Sequence, residues 1–97
     1  MNAHDVAPAS LLRRVASIVS ESFDTREVVF DPRNGLVRRL NRTASELWRM
    51  LETPQARSVI VATIRERSQE KSTHIESDVL RFIDELIMWG LVENVDG

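Results

Sequence analysis

The chain has 97 residues, 42% apolar and 29% charged, with 13 basic against 15 acidic side chains, a net charge of −2 and no cysteine. That length suits one domain with a single modest core and no enclosed substrate cavity. The missing cysteine excludes disulfides, thiolate metal sites and cysteine nucleophiles, and no apolar run approaches the roughly 20 residues of a membrane span.

Residues 1–12 have no period and are expected to form a flexible tail, with one domain over residues 13–97. The start "MNAHDVAPAS" lacks the basic and apolar regions of a secretory signal, so a cytoplasmic location is expected. "RRVASIVSESF" alternates Val15, Ser17 and Val19 with Ala16, Ile18 and Ser20, which predicts a strand. "DTRE" is a turn, and "EVVFD" is a short β-branched and aromatic strand. In "DPRNG", Pro32 presets a turn angle and Asn34-Gly35 tolerates positive φ, so the chain should reverse there into "LVRRLN". These segments make a three-stranded antiparallel meander.

The period then changes from 2 to 3.6. Asn41 can cap a first helix whose inner face is Ala44, Leu47, Trp48 and Leu51. A second helix is expected from about Ser58 to Arg67, with Val59, Ile60, Thr63 and Ile64 inward. An alternative start has Thr53 as cap and Pro54 at the first helical position. Thr73 and Glu76 have capping-box spacing, and the third helix runs to about Trp89 with Val79, Phe82, Ile83 and Leu86 inward. Gly90 is its left-handed stop, and "LVENV" is a short extended piece. Three strands followed by three helices make an α+β fold.

No catalytic constellation can be assembled. His4 and His74 have no partner at metal-ligand spacing, Asp84-Glu85 reads as a solvated helix surface, and the glycines are isolated. An enzyme is therefore not expected, and neither a metal nor a cofactor. Trp48 falls on a core face. The third helix, however, adds Leu80, Ile87, Met88 and Trp89 to its inner set, a wider apolar stripe than one packing face needs. Either the helix is clamped on two sides or it keeps a flank for a partner.

The basic side chains gather in "RNGLVRRLNR", where no acid interrupts Arg33, Arg38, Arg39 and Arg42. If this strand is a sheet edge, its free N–H and C=O groups invite another strand. Arg38 and Arg39 then either guard the edge or select an extended peptide carrying Asp or Glu.

"VVFDPRNGLVRRLNRTASELWRMLE", "RSVIVATIRER" and "IESDVLRFIDELIMWGLVE" together resemble the PqqD-like family of small peptide chaperones, the RiPP recognition elements, over roughly residues 15–93. The most specific parts are the Phe30-Asp31 turn-Gly35 strand pair, "LN-x-TA-x-x-LW" and "DV-x-x-F-x-x-x-L" running into "GLV". The resemblance implies a winged helix-turn-helix-like fold and a non-catalytic module. Such a module binds the leader of a ribosomally synthesised precursor peptide by strand addition. It then presents the peptide to a modifying enzyme: a radical-SAM enzyme, a protease or a cyclase. It further implies that the leader adds to Leu36–Leu40, with Val37, Arg38 and Arg39 lining one wall. Asp78, Val79, Arg81, Phe82 and Glu85 are candidates for the other.

Two other classes compete. A DNA-binding winged helix could use the basic strand, but Glu76, Asp78, Asp84 and Glu85 outweigh Arg81 on the helix that would enter the groove, so no nucleic acid is expected. A structural subunit could bind a partner enzyme alone. An exposed edge also permits a homodimer paired through that edge.

Overall fold

The strands form two antiparallel sheets rather than one. The computed structural model describes residues 11–68 and 74–95. In chain order they form β1 (Leu11–Arg14), β2 (Val19–Phe23), β3 (Arg26–Asp31), β4 (Leu36–Arg39), α1 (Arg42–Met50), β5 (Gln55–Ala56), α2 (Arg57–Arg67), α3 (His74–Met88) and β6 (Val92–Val95). One sheet has the order β2-β3-β4, the expected meander. The other has the order β5-β1-β6.

The second sheet corrects two expectations. "RRVASIVSESF" is not one strand: the chain turns between Val15 and Ile18, where the Ile18 N–H donates to the Val15 carbonyl at 3.1 Å. Leu11 and Leu12, expected in a tail, instead pair with Val95 and Asn94 of β6 and with Ala56 and Gln55 of β5. Leu12 is buried in the core. Alternation continues through the turn, so local periodicity cannot reveal that the partner strands lie in the middle and at the end of the chain. The expected tail before Leu11 lies outside the described residues.

The hairpin signals hold. Asp24 has φ +56 in the β2–β3 turn, and Gly35 has φ +74 before β4. Asn41 caps α1, its Oδ1 accepting from the Ala44 N–H at 2.8 Å. Between α1 and α2 neither Thr53 nor Pro54 starts a helix. Gln55-Ala56 is instead drawn into pairing with β1, and α2 begins at Arg57 without a side-chain cap. Val59 faces solvent, leaving Ile60 and Ile64 as the buried face of α2. The expected capping box at α3 involves Thr73, outside the described residues. At the other end Gly90, with φ +75, gives α3 a Schellman stop. The Leu91 N–H reaches the Leu86 carbonyl and the Gly90 N–H reaches the Ile87 carbonyl, both at 3.0 Å.

The core gathers Leu12 from β1, Val29 from β3, Ala44, Leu47 and Trp48 from α1, Ile60 and Ile64 from α2, and Val79, Ile83 and Leu86 from α3. Glu27, Asp31 and Ser45 are the buried polar residues among those described, and Ser45 splices sheet to helix. Its hydroxyl accepts from the Glu27 N–H at 2.8 Å and donates to the Leu40 carbonyl at 3.2 Å. Glu27 is itself buried, held by Arg49 Nε at 2.9 Å and by the Ser22 hydroxyl. Ser45→Ala would strand both backbone groups away from water. The expected loss is about 1–3 kcal/mol, measured as a lower urea midpoint with an unchanged slope.

Candidate functional site

The edge of the β2-β3-β4 sheet is formed by β4. It pairs with β3 in the register Val28–Arg39, Val29–Arg38, Phe30–Val37 and Asp31–Leu36. No strand pairs with its other side among the described residues. The phase of this ladder decides which groups are free. The Leu40 N–H donates to the Glu27 carbonyl at 2.9 Å. Backbone groups alternate sides along an antiparallel strand, so Arg38, two residues back, also turns its N–H and C=O toward β3. Val37 and Arg39 therefore turn theirs outward, onto the open edge. The Leu36 N–H is taken by Asn34 Oδ1 at 2.9 Å.

The side chains alternate likewise. Arg38 lies on the helix-facing side, opposite the buried Val29. It is half-buried, with its guanidinium carbon 3.9 Å from the centroid of Trp89. Val37 and Arg39 lie on the outer side and are exposed. The two arginines thus have different surroundings: one is stacked on an indole, the other stands in solvent.

The opposite bank is one flank of α3. Asp78, Phe82, Glu85 and Trp89 recur at spacings of four, three and four, so they share a stripe beside the core residues Val79, Ile83 and Leu86. Trp89, whose N–H continues the helical ladder to the Glu85 carbonyl at 2.9 Å, brings this stripe to Arg38. At the other end, Arg42 and Thr43, just after β4, line a cleft with Ile75 at the start of α3. The two elements therefore lie alongside each other in opposite directions. Arg81 is exposed, paired with Asp78 at 3.4 Å and set over the Phe82 ring at 5.3 Å.

Among the residues the sequence marked, Leu40 and Val79 are sealed in the core. They support the groove from beneath and present no side-chain surface to a visitor. The wide apolar stripe of α3 is also resolved. Leu80 turns toward α2 and shares a cleft with Val61 and Ala62, while Phe82 and Trp89 face the other way. One flank of the helix thus faces α2 and the other faces β4, and Met88 is left 75% exposed.

One end of the groove is closed by a tie that has no local signal in the sequence. Arg33 Nε and Nη2 grip the Asp31 carboxylate at 2.9 Å each, and Nη2 also donates to the Gly90 carbonyl at 2.6 Å. The β3–β4 turn is thereby fastened to the end of α3. The Arg33 hydrogen bond holds the Asp31 carboxyl below the usual carboxylate range. Stabilisation from this tie is thus present above the ordinary aspartate range and is lost as pH falls through the lowered value.

Arg14, Arg26, Arg38, Arg39 and Arg42 have no carboxylate within 4.0 Å among the described residues, whereas Arg13, Arg33, Arg49, Arg57, Arg65, Arg67 and Arg81 each do; Arg14 and Arg38 are instead stacked on Trp48 and Trp89. The unpartnered cations collect beside the second half of β4. Among the described residues no group of three or more His, Cys, Asp or Glu could hold a metal ion, and no helix is long and apolar enough to cross a membrane.

A family model described as Coenzyme PQQ synthesis protein D (PqqD) matches residues 26–92, from the start of β3 into β6. A solved structure of TbiB1 in complex with the TbiA(beta) leader peptide is similar with a TM-score of 0.76 and 22% identity, covering 88% of this chain and 99% of that one. At that identity the likeness is one of fold: a winged helix-turn-helix-like arrangement of strands and three helices. No curated protein matches the chain.

Proposed function

The chain belongs to the PqqD family, and from that premise we propose that it is a non-catalytic module that captures the leader of a ribosomally synthesised precursor peptide by strand addition to β4. The observation that carries this reading is the outward turn of the Val37 and Arg39 backbone groups along an edge with no strand beside it among the described residues. Each such residue offers one donor and one acceptor to a visitor, and extended peptides are bound in this way at sheet edges. Phe82 and Trp89 add apolar surface on the facing bank. The leader peptide bound to TbiB1, a protein of the same fold, supports the same class of partner here.

Presentation to a modifying enzyme extends the proposal, since a module without catalytic groups acts by placing its cargo before another protein. A radical-SAM enzyme, a protease or a cyclase would fill that role, in the cytoplasm where the precursor is made. Duplex DNA is disfavoured as the ligand. The acids of α3 are spread along the helix, and its Arg81 is already paired with Asp78. A second copy of the chain would compete for the same edge.

The test is a titration of the isotope-labelled chain with a synthetic leader from its cognate precursor, followed by NMR. Saturable shifts and slowed hydrogen exchange are expected at the Val37 and Arg39 amides, with smaller changes at Arg38. Binding that leaves both edge amides exchanging freely would exclude strand addition at β4.

A further inference from the structure

The outer face of the β2-β3-β4 sheet carries four of the exposed large apolar side chains, Val19, Phe23, Phe30 and Val37. Cross-strand pairing sets Val19 opposite Phe30, and Phe30 opposite Val37. The three form a row across the sheet, exposed by 55%, 39% and 61% respectively. The neighbouring row runs Glu21, Val28, Arg39. It ends on the edge strand in an exposed guanidinium with no carboxylate partner among the described residues. Both rows stop at β4, where the sheet stops.

A strand added to β4 would continue both rows. In an antiparallel pair, directly opposed residues put their side chains on the same face. The visitor's residue opposite Val37 would thus lie beside an open apolar row, and the one opposite Arg39 beside a free cation. The residue between them would point to the other face, over the Arg38–Trp89 stack. Antiparallel pairing is the more stable ladder, and in it the residue opposite Arg39 comes two positions before the residue opposite Val37.

Resting on the strand-addition reading above, we infer that the outer face reads a three-residue pattern in the captured peptide: Asp or Glu, then any residue, then a β-branched or aromatic residue, in that order from the N-terminus. Arg39 selects the acid and Val37 the apolar residue. Arg38 takes no part in choosing the acid, because its guanidinium is turned to the opposite face and engaged with Trp89. Arg39 is thereby a specificity-determining residue, and its identity sets one position of the peptide.

A random-peptide display library selected on the full chain tests this, in parallel with Arg39→Glu, Arg39→Gln and Val37→Pro variants checked for folding by circular dichroism. The wild-type chain should enrich the acid–any–apolar pattern, each position by about fivefold over its library frequency. Arg39→Glu should exchange the acid for Lys or Arg at that one position and keep the apolar residue. Arg39→Gln should lose the acid preference alone. The pattern is overturned if the enriched peptides show the reverse order or no fixed spacing, or if either Arg39 variant selects the same acids as the wild type. Unchanged selection by Val37→Pro, or no enrichment by the wild-type chain, would instead overturn strand addition itself.

Discussion

Replacing Val37 with proline is expected to weaken leader binding about tenfold while leaving the fold intact. The ladder between β3 and β4 is phased so that the Val37 N–H points away from β3, and its loss breaks no internal hydrogen bond. Proline is tolerated at such outward-facing positions of edge strands. The visitor, in contrast, loses a donor and meets the ring where that donor stood. One residue along, the same substitution has the opposite profile. Arg38 turns its N–H toward β3, so Arg38→Pro removes a ladder bond and should lower stability before any peptide is added. Calorimetric titration and urea unfolding of the two variants separate the effects. Equal affinity in Val37→Pro and wild type would mean that the visitor does not hydrogen-bond this edge.

The largest expected effect on stability belongs to Trp48→Ala, with a loss of about 3–5 kcal/mol. Trp48 is fully buried and is the largest side chain in the core. It lies on the α1 face that carries Ala44, Leu47 and Leu51, and Arg14 from β1 stacks over its ring at 4.6 Å. The same Arg14 donates to the Trp48 carbonyl through Nε at 3.1 Å and Nη2 at 2.6 Å. Those backbone bonds survive the substitution, but the guanidinium loses the ring beneath it and the core gains a cavity. A domain of this size is stabilised by only about 5–15 kcal/mol, so the variant should unfold at a much lower urea concentration. Trp48→Phe keeps most of the filling and should lose markedly less. A small loss for the alanine variant would show that the surrounding helices close into the space.

The features legible in the sequence are those set by neighbours along the chain. Asn41 as a cap, Gly90 as a left-handed stop and the reversal at Asn34-Gly35 each depend on a few adjacent residues, and each is found where expected. The three-stranded meander and the inner face of α1 follow from local period. The second sheet escaped because β1 is short and its partners β5 and β6 lie far along the chain. Alternation in "RRVASIVSESF" is satisfied by one strand or by two, and only the distant partners decide. At the site, the basic edge was visible as composition. The division of labour between Arg38 and Arg39 was not, because it depends on which face each occupies and on Trp89 arriving from another element. The Asp31–Arg33–Gly90 tie was hidden for the same reason. Motif position alone puts Leu40 and Val79 at the groove, and tertiary packing turns both side chains inward.

The fastening of Arg33 to Gly90 gives the groove an asymmetric mechanics. Both walls share a fixed corner where the turn meets the helix end, and the Arg38–Trp89 stack reinforces it from inside. Parting the walls to admit a bulky guest must therefore pivot about that corner, like a clothes-peg about its spring, with the jaws at the Arg42 and Ile75 end.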